Sequence, residues 1–320
     1  MIEQNSFNNA IQIKIPTVAV LIPCFNEEAT IFNVVNKFKK VLPKASIYVY
    51  DNCSTDKTAL EAQRAGAIVV KSQKRGKGNV VRKMFSDVNA DIYIMVDGDD
   101  TYSAEDSVKM LDLIRDEQMD MVVAARNEIN DKAYPVGHKW GNKLFNIALK
   151  LLFNSEFKDI FSGYRAFSKR FVKTFPITSN GFDIEAELSI HALTLSLPCA
   201  ETDSDYYERP ANSHSKLNTF KDGFKILWSI TRLLKENRPL LFFGSISLML
   251  FLIALVLAYP IFSTFFETGL VPRLPTAVLS MGMVLASFLS LTCGLILNSL
   301  SQARIEIKKL HYLQYSIRVE

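Results

Sequence analysis

Two long stretches without a charged residue constrain this chain more than any other feature. They cover residues 239–266 and 274–303, and only Glu267 and Arg273 carry charge between them. Each stretch exceeds the roughly 20 apolar residues that cross the hydrocarbon core of a bilayer. We therefore expect two C-terminal transmembrane helices within 239–303, and the composition excludes an ordinary soluble protein.

The part of the chain before these stretches has the charge content of a soluble domain. It excludes a polytopic transporter and is long enough for one α/β domain with a full core. The net charge of +4 is too small to indicate nucleic-acid binding. Residues 1–16 lack a basic region followed by an apolar one, so we expect an N-terminal extension and no cleavable signal peptide.

Short runs of β-branched and apolar residues alternate with apolar residues at helical spacing over residues 17–215. Such alternation predicts an α/β catalytic domain with a doubly wound, mostly parallel sheet. Ser54 and Ser103 are predicted to cap helices. The predicted strands are 18–22, 47–50, 67–70, 92–96 and 121–125.

Polar clusters follow the first four predicted strands directly. In open α/β sheets, ligands bind in the crevice beyond the carboxyl ends of the strands. We therefore expect these clusters to form one binding crevice. They are residues 23–28, 51–56, 74–78 and 97–100.

Asp97 and Asp99 end a strongly apolar strand and are separated by one glycine. Mg²⁺ or Mn²⁺ favours such oxygen ligands and usually takes only one or two carboxylates, with substrate phosphates completing its shell. A polar turn before the next helix explains the same residues, and the residues by themselves leave both interpretations open.

The other clusters also allow two interpretations. Asp51 lies at a strand tip, which favours ligand binding, whereas Ser54 and Asp56 suit the start of a helix. The segment Lys74-Arg75-Gly76-Lys77-Gly78 combines cations with flexible backbone and would suit a diphosphate. A solvated turn is the alternative, and the spacing is not that of a Walker A loop.

In order along the chain, these motifs resemble glycosyltransferase family 2, which has the GT-A fold. The similarity covers roughly residues 17–235. The metal motif departs from the Asp-Ala-Asp-Leu-Gln of many relatives, so the resemblance assigns no third protein ligand. Three later segments are similar to the dolichyl-phosphate mannose synthase and bacterial polyprenyl-phosphate glycosyltransferase branch: Ser162-Gly163-Tyr164-Arg165, Gly181-Phe182-Asp183-Ile184-Glu185, and residues 209–217.

The resemblance implies a GT-A type mixed sheet and a role for each matching residue. Asp97 and Asp99 would bind Mg²⁺ or Mn²⁺, and Asp99, Arg126 and Arg165 would be catalytic. The nucleotide donor would be bound by strand-end residues, namely Pro23, Asn26, Glu27, Asp51, Lys77 and Asp97. The acceptor phosphate would face cationic and hydroxyl side chains, namely Arg126, Arg165, Arg209, Ser215 and Lys216.

Some of these residues have a simpler explanation. Arg126 and Arg165 could form structural ion pairs, which the residues alone favour. Asp183 and Glu185 could contact the sugar or act as a general base. As first-turn acids they could instead stabilise a helix that runs through Leu195, and the sequence favours this second role.

A phosphate acceptor suits this set of residues. Its second pKa is ~6, so it is mostly ionised near neutrality and needs cationic positioning rather than a general base. The resemblance therefore implies transfer of one sugar, with inversion, from a UDP- or GDP-sugar to undecaprenyl or dolichyl phosphate. Two alternatives stay open: a family 2 enzyme that glycosylates a hydroxyl of a lipid or glycan, and an inactive membrane scaffold that binds nucleotide sugars.

Residues 216–238 combine apolar residues at helical spacing with lysines and arginines. This pattern predicts an amphipathic juxtamembrane helix at the membrane interface; a helix packed on its own domain is the alternative. Basic residues also follow the second stretch, in a tail at 304–320. The positive-inside rule then predicts a cell (inner) membrane protein with two spans and with catalytic domain and both termini cytoplasmic. The spans would serve as an anchor and as a contact for a homo-oligomer.

Overall fold

The computed structural model describes residues 16–128, 150, 157–177, 184–207, 231–232 and 234–315. These residues form two compact units. The first unit holds the described residues up to 128, from 157 to 207, and from 311 to 315. The second holds Lys150 and those from 231 to 310.

A seven-stranded sheet forms the centre of the first unit, in the order β3-β2-β1-β4-β6-β5-β7. β6 runs antiparallel to both of its neighbours, and the other pairs are parallel. The strands are β1 (Val18–Cys24), β2 (Ser46–Asp51), β3 (Ile68–Lys71), β4 (Ile92–Met95), β5 (Met121–Glu128), β6 (Arg165–Ser168) and β7 (Cys199–Tyr206).

Helices pack on both faces of this sheet because successive strand residues point to opposite sides. In β1, Val20 and Ile22 belong to one buried cluster, whereas Ala19 and Leu21 belong to another. The first cluster includes residues of α1 (Ile31–Val41), α2 (Thr58–Arg64) and α4 (Asp106–Arg115), and the second includes residues of α3 (Lys77–Asp87), α5 (Lys169–Thr174) and α6 (Ile184–Leu195).

The expected α/β class and GT-A type mixed sheet are confirmed. All five strands expected from the sequence are present. Strands β6 and β7 were not among the sequence-based expectations. β6 has only four residues, and β7 carries Glu201, Thr202, Asp203 and Ser204 in place of an apolar run.

The two predicted helix caps are wrong. α2 begins at Thr58 rather than directly after Ser54, whose hydroxyl instead accepts a hydrogen bond from the Asn26 amide. α4 begins at Asp106, and the Ser103 hydroxyl donates to a nearby glutamate. In both places the serine makes a loop contact instead of capping a helix.

The second unit contains two helices long and apolar enough, by length and composition, to cross a membrane. They are α7 (Pro239–Thr268) and α8 (Leu274–Leu313). They lie antiparallel, since Ser287 donates to the Ser247 carbonyl and Ser280 to the Ala254 carbonyl, both at 2.9 Å. Small side chains let the two backbones approach closely, as is common between membrane helices.

Only part of the predicted amphipathic helix can be compared with the structure. Residues 231, 232 and 234–237 are helical, with an ion pair of 2.8 Å between Arg232 and Glu236. Residues 216–230 lie outside the described part of the chain. Their placement at the interface stays a prediction.

Candidate functional site

The sheet reverses its strand order beside β1, which has β2 on one side and β4 on the other. Both pairs are parallel, so the loops that follow these strands emerge at the same edge. A crevice at such a switch point is where open α/β sheets bind ligands. The expectation that the four polar clusters share one edge is therefore confirmed for the loops after β1, β2, β3 and β4.

Hydrogen bonds join the loop after β1 to the loop after β2. The Asn26 amide donates to the Ser54 hydroxyl at 3.0 Å, and the Asn26 side-chain oxygen accepts from the Thr55 amide at 2.9 Å. The Glu27 amide donates to the Thr58 hydroxyl at 2.8 Å. Asn26 also has a left-handed φ of 54°, which asparagine tolerates better than most residues. Asn26 thus holds two loops together; its predicted contact with the nucleoside stays a prediction.

The loops after β2 and β3 are joined in the same way. Asp51 is buried and accepts a hydrogen bond from the Ser54 amide at 2.9 Å, while Pro23 of β1, which lies opposite Tyr50, is half-buried. The Asn52 side chain accepts from the Gly76 amide at 3.1 Å. These bonds bring the tips of three parallel strands into one continuous rim.

The two carboxylates of the expected metal motif lie at this rim in different environments. The Asp99 side chain is buried at 4% exposure and accepts from the Thr101 hydroxyl at 2.7 Å. Asp97 is half-exposed. Asp100 has a φ of 60° and forms a 2.7 Å ion pair with Lys37, which directs its carboxylate to a lysine of α1.

The residue between the two carboxylates is Gly98, and there is no room for a side chain at this position. A Cβ atom there would lie 2.6 Å from the Cys24 sulfur. The Gly98 carbonyl also accepts from the Thr30 hydroxyl at 2.6 Å, which ties the motif to the start of α1. The Cys24 sulfur thus explains why glycine occupies this position.

Lys77 is the charged centre of the site. Its ammonium lies 2.5 Å from Asp97 Oδ1 and 2.5 Å from Glu185 Oε1, and its side chain is 11% exposed. Burial alone would lower the pKa of this ammonium, but the charges of Asp97 and Glu185 outweigh burial and raise the pKa above its ordinary value. Lys77 is therefore a permanent cation that bridges α3, the metal motif and α6.

A segment that precedes β6 also contacts the motif. Gly163 packs directly against the Asp97 carboxylate, where a Cβ atom would clash with both oxygens. The Gly163 amide donates to the Tyr102 hydroxyl at 3.3 Å, and that hydroxyl lies 3.4 Å from the Ser162 hydroxyl. No role was predicted for Gly163, Ser162 or Tyr102, since their contacts join parts of the chain that are distant in sequence.

Arg165, which was expected to be catalytic and to face the acceptor phosphate, lies in the protein core. Arg165 is 0% exposed, and its guanidinium donates to the carbonyl groups of Ser162 and Ile160 and to the Ser189 hydroxyl. Burial lowers the pKa of this guanidinium. Because its donors face protein acceptors inside the core, Arg165 braces the segment that carries Gly163, and its contact with the acceptor phosphate stays a prediction.

Arg126 is held by a carboxylate that the sequence analysis did not identify. Its Nε lies 2.6 Å and its Nη2 2.8 Å from the two Asp159 oxygens, in a bidentate pair. The guanidinium also lies 5.5 Å from the centre of the Tyr206 ring. The alternative of a structural ion pair is thus present. A contact with the acceptor phosphate stays a prediction, and no local pattern linked Arg126 to Asp159.

The available oxygen atoms fit a divalent cation. Asp97 and Asp99 supply two carboxylates at the rim. Among the described residues there is no cluster of three or more His, Cys, Asp or Glu side chains that could hold a metal ion. Such a cation would thus depend on phosphate oxygens and water for the rest of its shell, as Mg²⁺ usually does.

Several expected site residues lie outside the described part of the chain, namely Asp183, Arg209, Ser215 and Lys216. Glu185, the other candidate base, is buried and paired with Lys77. His191 lies in the core with its ring edge-on to Phe171 and Phe175, as the sequence analysis favoured for a residue in mid-helix.

Known proteins resemble this chain in both sequence and fold. Glycosyltransferase AglJ of Haloferax volcanii is 36% identical over 231 residues, which cover 72% of this chain and 76% of that protein. Dolichyl-phosphate hexose transferase of the same organism is 28% identical over 221 residues, with coverage of 69% and 95%. Glucosyl-3-phosphoglycerate synthase from Mycobacterium tuberculosis, solved with Mn²⁺ and UDP-glucose, has a TM-score of 0.55 at 22% identity and covers 69% of this chain and 78% of that chain.

The matched family region contains both the sequence motifs and the loops at the switch point of the sheet. Residues 19–175 match the family described as Glycosyl transferase family 2. This range includes the rim loops, Asp97, Asp99 and the segment around Gly163. The resemblance inferred from the sequence is confirmed, and the chain belongs to glycosyl transferase family 2.

Proposed function

We propose that this glycosyltransferase moves one sugar, with inversion, from a nucleotide-diphosphate sugar to a polyprenyl phosphate at the cytoplasmic surface of the cell membrane. One observation carries the proposal. The Asp97–Lys77 pair lies at the switch point of the sheet, in a chain that continues into two helices apolar enough to cross a membrane. A donor diphosphate suits the charged pair at the switch point, and a lipid-borne acceptor suits a chain with two such helices.

The donor half of the proposal rests on the rim residues. Pro23, Asp51 and the Asn26 loop would line the nucleoside pocket of a UDP- or GDP-sugar, with Glu27 in the same loop. Asp97 and Asp99 would hold Mg²⁺ or Mn²⁺, which when bound stabilises negative charge on the leaving diphosphate. The Mn²⁺ and UDP-glucose complex of the solved mycobacterial enzyme supports this choice of donor and metal.

The acceptor half rests on chemistry that needs cations rather than a base. A phosphate monoester is already ionised near neutrality, and arginine can hold its oxygens with two parallel hydrogen bonds. Arg126 would reach the phosphate by exchanging its bond to Asp159, with Arg209, Ser215 and Lys216 completing the site. The relative named dolichyl-phosphate hexose transferase supports a lipid phosphate.

A hydroxyl acceptor is the less favoured alternative. It would need a general base that is free to take a proton. Glu185 is 6% exposed, and its carboxylate is already held in an ion pair with the Lys77 ammonium. Only Asp183 is left for that role among the two acids that the sequence suggested.

The direct test is incubation of membranes containing the protein with radiolabelled UDP- and GDP-sugars. We expect label from one donor to enter an organic-extractable lipid that mild acid hydrolyses, as a sugar phosphodiester would. Label in an acid-stable product, abolished by Asp183→Asn, would favour a hydroxyl acceptor. Nucleotide binding without turnover across the panel would favour an inactive scaffold.

Asp99→Asn should reduce transfer at least about a hundredfold, because the cation loses a buried carboxylate ligand. Asp100→Asn is the matched control: that carboxylate faces Lys37, and asparagine tolerates its φ of 60°, so most activity should persist. Full activity of the Asp99 variant would contradict the metal assignment.

In the same assay, Arg209→Ala should impair use of the lipid far more than nucleotide binding.

A further inference from the structure

The Lys77 ammonium occupies the kind of place that a metal ion usually takes, between two carboxylates. It is 2.5 Å from both Asp97 and Glu185, and neither Lys77 nor Glu185 is well exposed to water. Asp97 is also the carboxylate to which the proposed function assigns the divalent cation. Lysine and metal therefore converge on the same side chain.

We propose that Lys77 is a built-in counter-ion which competes with the divalent cation for Asp97 until the donor diphosphate arrives, and that Glu185 is the positioning residue which retains Lys77 beside the diphosphate. This inference rests on the proposed function. It makes binding of the metal and binding of the diphosphate depend on each other.

The competition follows from the charges. Two cations that share one carboxylate repel each other strongly in a partly buried site, where screening by water is weak. A divalent cation can therefore bind Asp97 well only if the Lys77 ammonium moves away from Oδ1. The diphosphate supplies new negative charge for both cations, so the metal should bind tightly only together with it.

Glu185 limits how far Lys77 can move. Its carboxylate lies in the first turn of α6 and is buried, whereas Lys77 is the first residue of α3. Breaking the contact with Asp97 alone leaves the ammonium attached to α6 and still at the rim. A buried charge held this way loses less conformational freedom when the diphosphate binds, which favours tight binding.

The test is measurement of Mn²⁺ binding to the full chain in lipid nanodiscs, from the electron paramagnetic resonance signal of free Mn²⁺. For Lys77→Met we expect Mn²⁺ alone to bind about tenfold more tightly than to the unmodified chain, a normal size for competition between two sites. In the presence of Mn²⁺, inorganic pyrophosphate should bind the same variant about tenfold more weakly. An increase in Mn²⁺ affinity together with a decrease in pyrophosphate affinity would identify Lys77 as a counter-ion.

Lys83→Met is the matched control. Lys83 belongs to the same helix and forms a 2.7 Å ion pair with Asp87, but at the surface, so neither affinity should change. If Mn²⁺ alone bound Lys77→Met as weakly as, or more weakly than, the unmodified chain, competition for Asp97 would be disproved.

Glu185→Gln tests the other half of the inference and keeps the pair between Lys77 and Asp97, so it covers the case in which Lys77→Met fails to fold. Mn²⁺ alone should bind this variant more weakly, because Lys77 then has Asp97 as its single carboxylate partner. Tighter or unchanged Mn²⁺ binding would overturn the proposal. Neither measurement needs sugar transfer, so failure of the radiolabel assay and failure of this inference are separate results.

Discussion

Gly163 lies directly against the Asp97 carboxylate, although the two residues are far apart in the sequence. Its missing side chain lets the backbone touch the carboxylate, and its amide is held by the Tyr102 hydroxyl at 3.3 Å. Arg165, two residues later, anchors the same segment to the core by hydrogen bonds to main-chain carbonyl groups. The segment that the family resemblance linked to the acceptor thus contacts, in this structure, the aspartate proposed as a metal ligand.

Gly163→Ala should therefore reduce transfer activity by at least about tenfold, because the added Cβ would displace the Asp97 carboxylate, and a misplacement of about 1 Å at a site can cost a hundredfold in rate. Mn²⁺ affinity should fall in parallel, while the circular dichroism spectrum stays unchanged. Gly244→Ala is the control, since a Cβ atom at Gly244 meets nothing within 4 Å. Equal activity of the two variants would show that the contact with Asp97 is unimportant.

At the scale of secondary-structure elements, close contact between α7 and α8 depends on small residues. Ser280, Ser287 and Gly294 recur at seven-residue spacing along α8 and are buried against α7. A Cβ atom at Gly294 would lie 3.1 Å from the Phe243 Cβ. The two helices therefore have little room for a larger side chain at this level.

Gly294→Leu should separate the helices and lower the midpoint of thermal unfolding, followed by the helical circular dichroism signal of the chain in detergent. Gly282→Leu is the matched change, because Gly282 lies on the same helix and a Cβ atom there would meet nothing within 4 Å. We expect that variant to unfold like the unmodified chain. A similar decrease for both would indicate that leucine itself, and not the contact with α7, causes the effect.

At the scale of the whole molecule, the end of α8 belongs to the same compact unit as the sheet. The Tyr312 hydroxyl donates to Asp120 at 2.6 Å, and the Tyr312 ring lies 4.4 Å from the Arg170 guanidinium. Asp120 is fully buried and forms a bidentate pair with Arg170. Tyr312, which follows the second apolar stretch, thus completes a buried polar cluster of the first unit.

Tyr312→Phe should lower the free energy of unfolding of this unit by about 1 kcal/mol, the usual value for one hydrogen bond to a buried partner. The measurement is urea unfolding of the full chain in nanodiscs, monitored by hydrogen exchange of β6 peptides. Tyr315→Phe, at an exposed tyrosine of the same segment, should have no effect. If Tyr312→Phe were also neutral, the hydroxyl would contribute nothing to the stability of the unit.

Much of the fold could be predicted because its signals are local. The β-branched runs at β1, β2 and β4 and the helical spacing in α1 are visible in short windows of sequence. The caps were mispredicted, since Ser54 can bond either to a helix start or to Asn26, and only the neighbouring loop decides between them. β7 was missed because its residues are largely polar.

The sequence by itself determined the family, the order of strands and helices along the first half of the chain, the place of two carboxylates directly after β4 and the two apolar helices. All of these depend on composition and spacing within short segments. Only the tertiary structure decided that Lys77 joins Asp97 to Glu185, that Asp159 holds Arg126, and that Arg165 lies in the core. The reason is physical: the partner and the burial of a charged side chain depend on which distant segments pack against it.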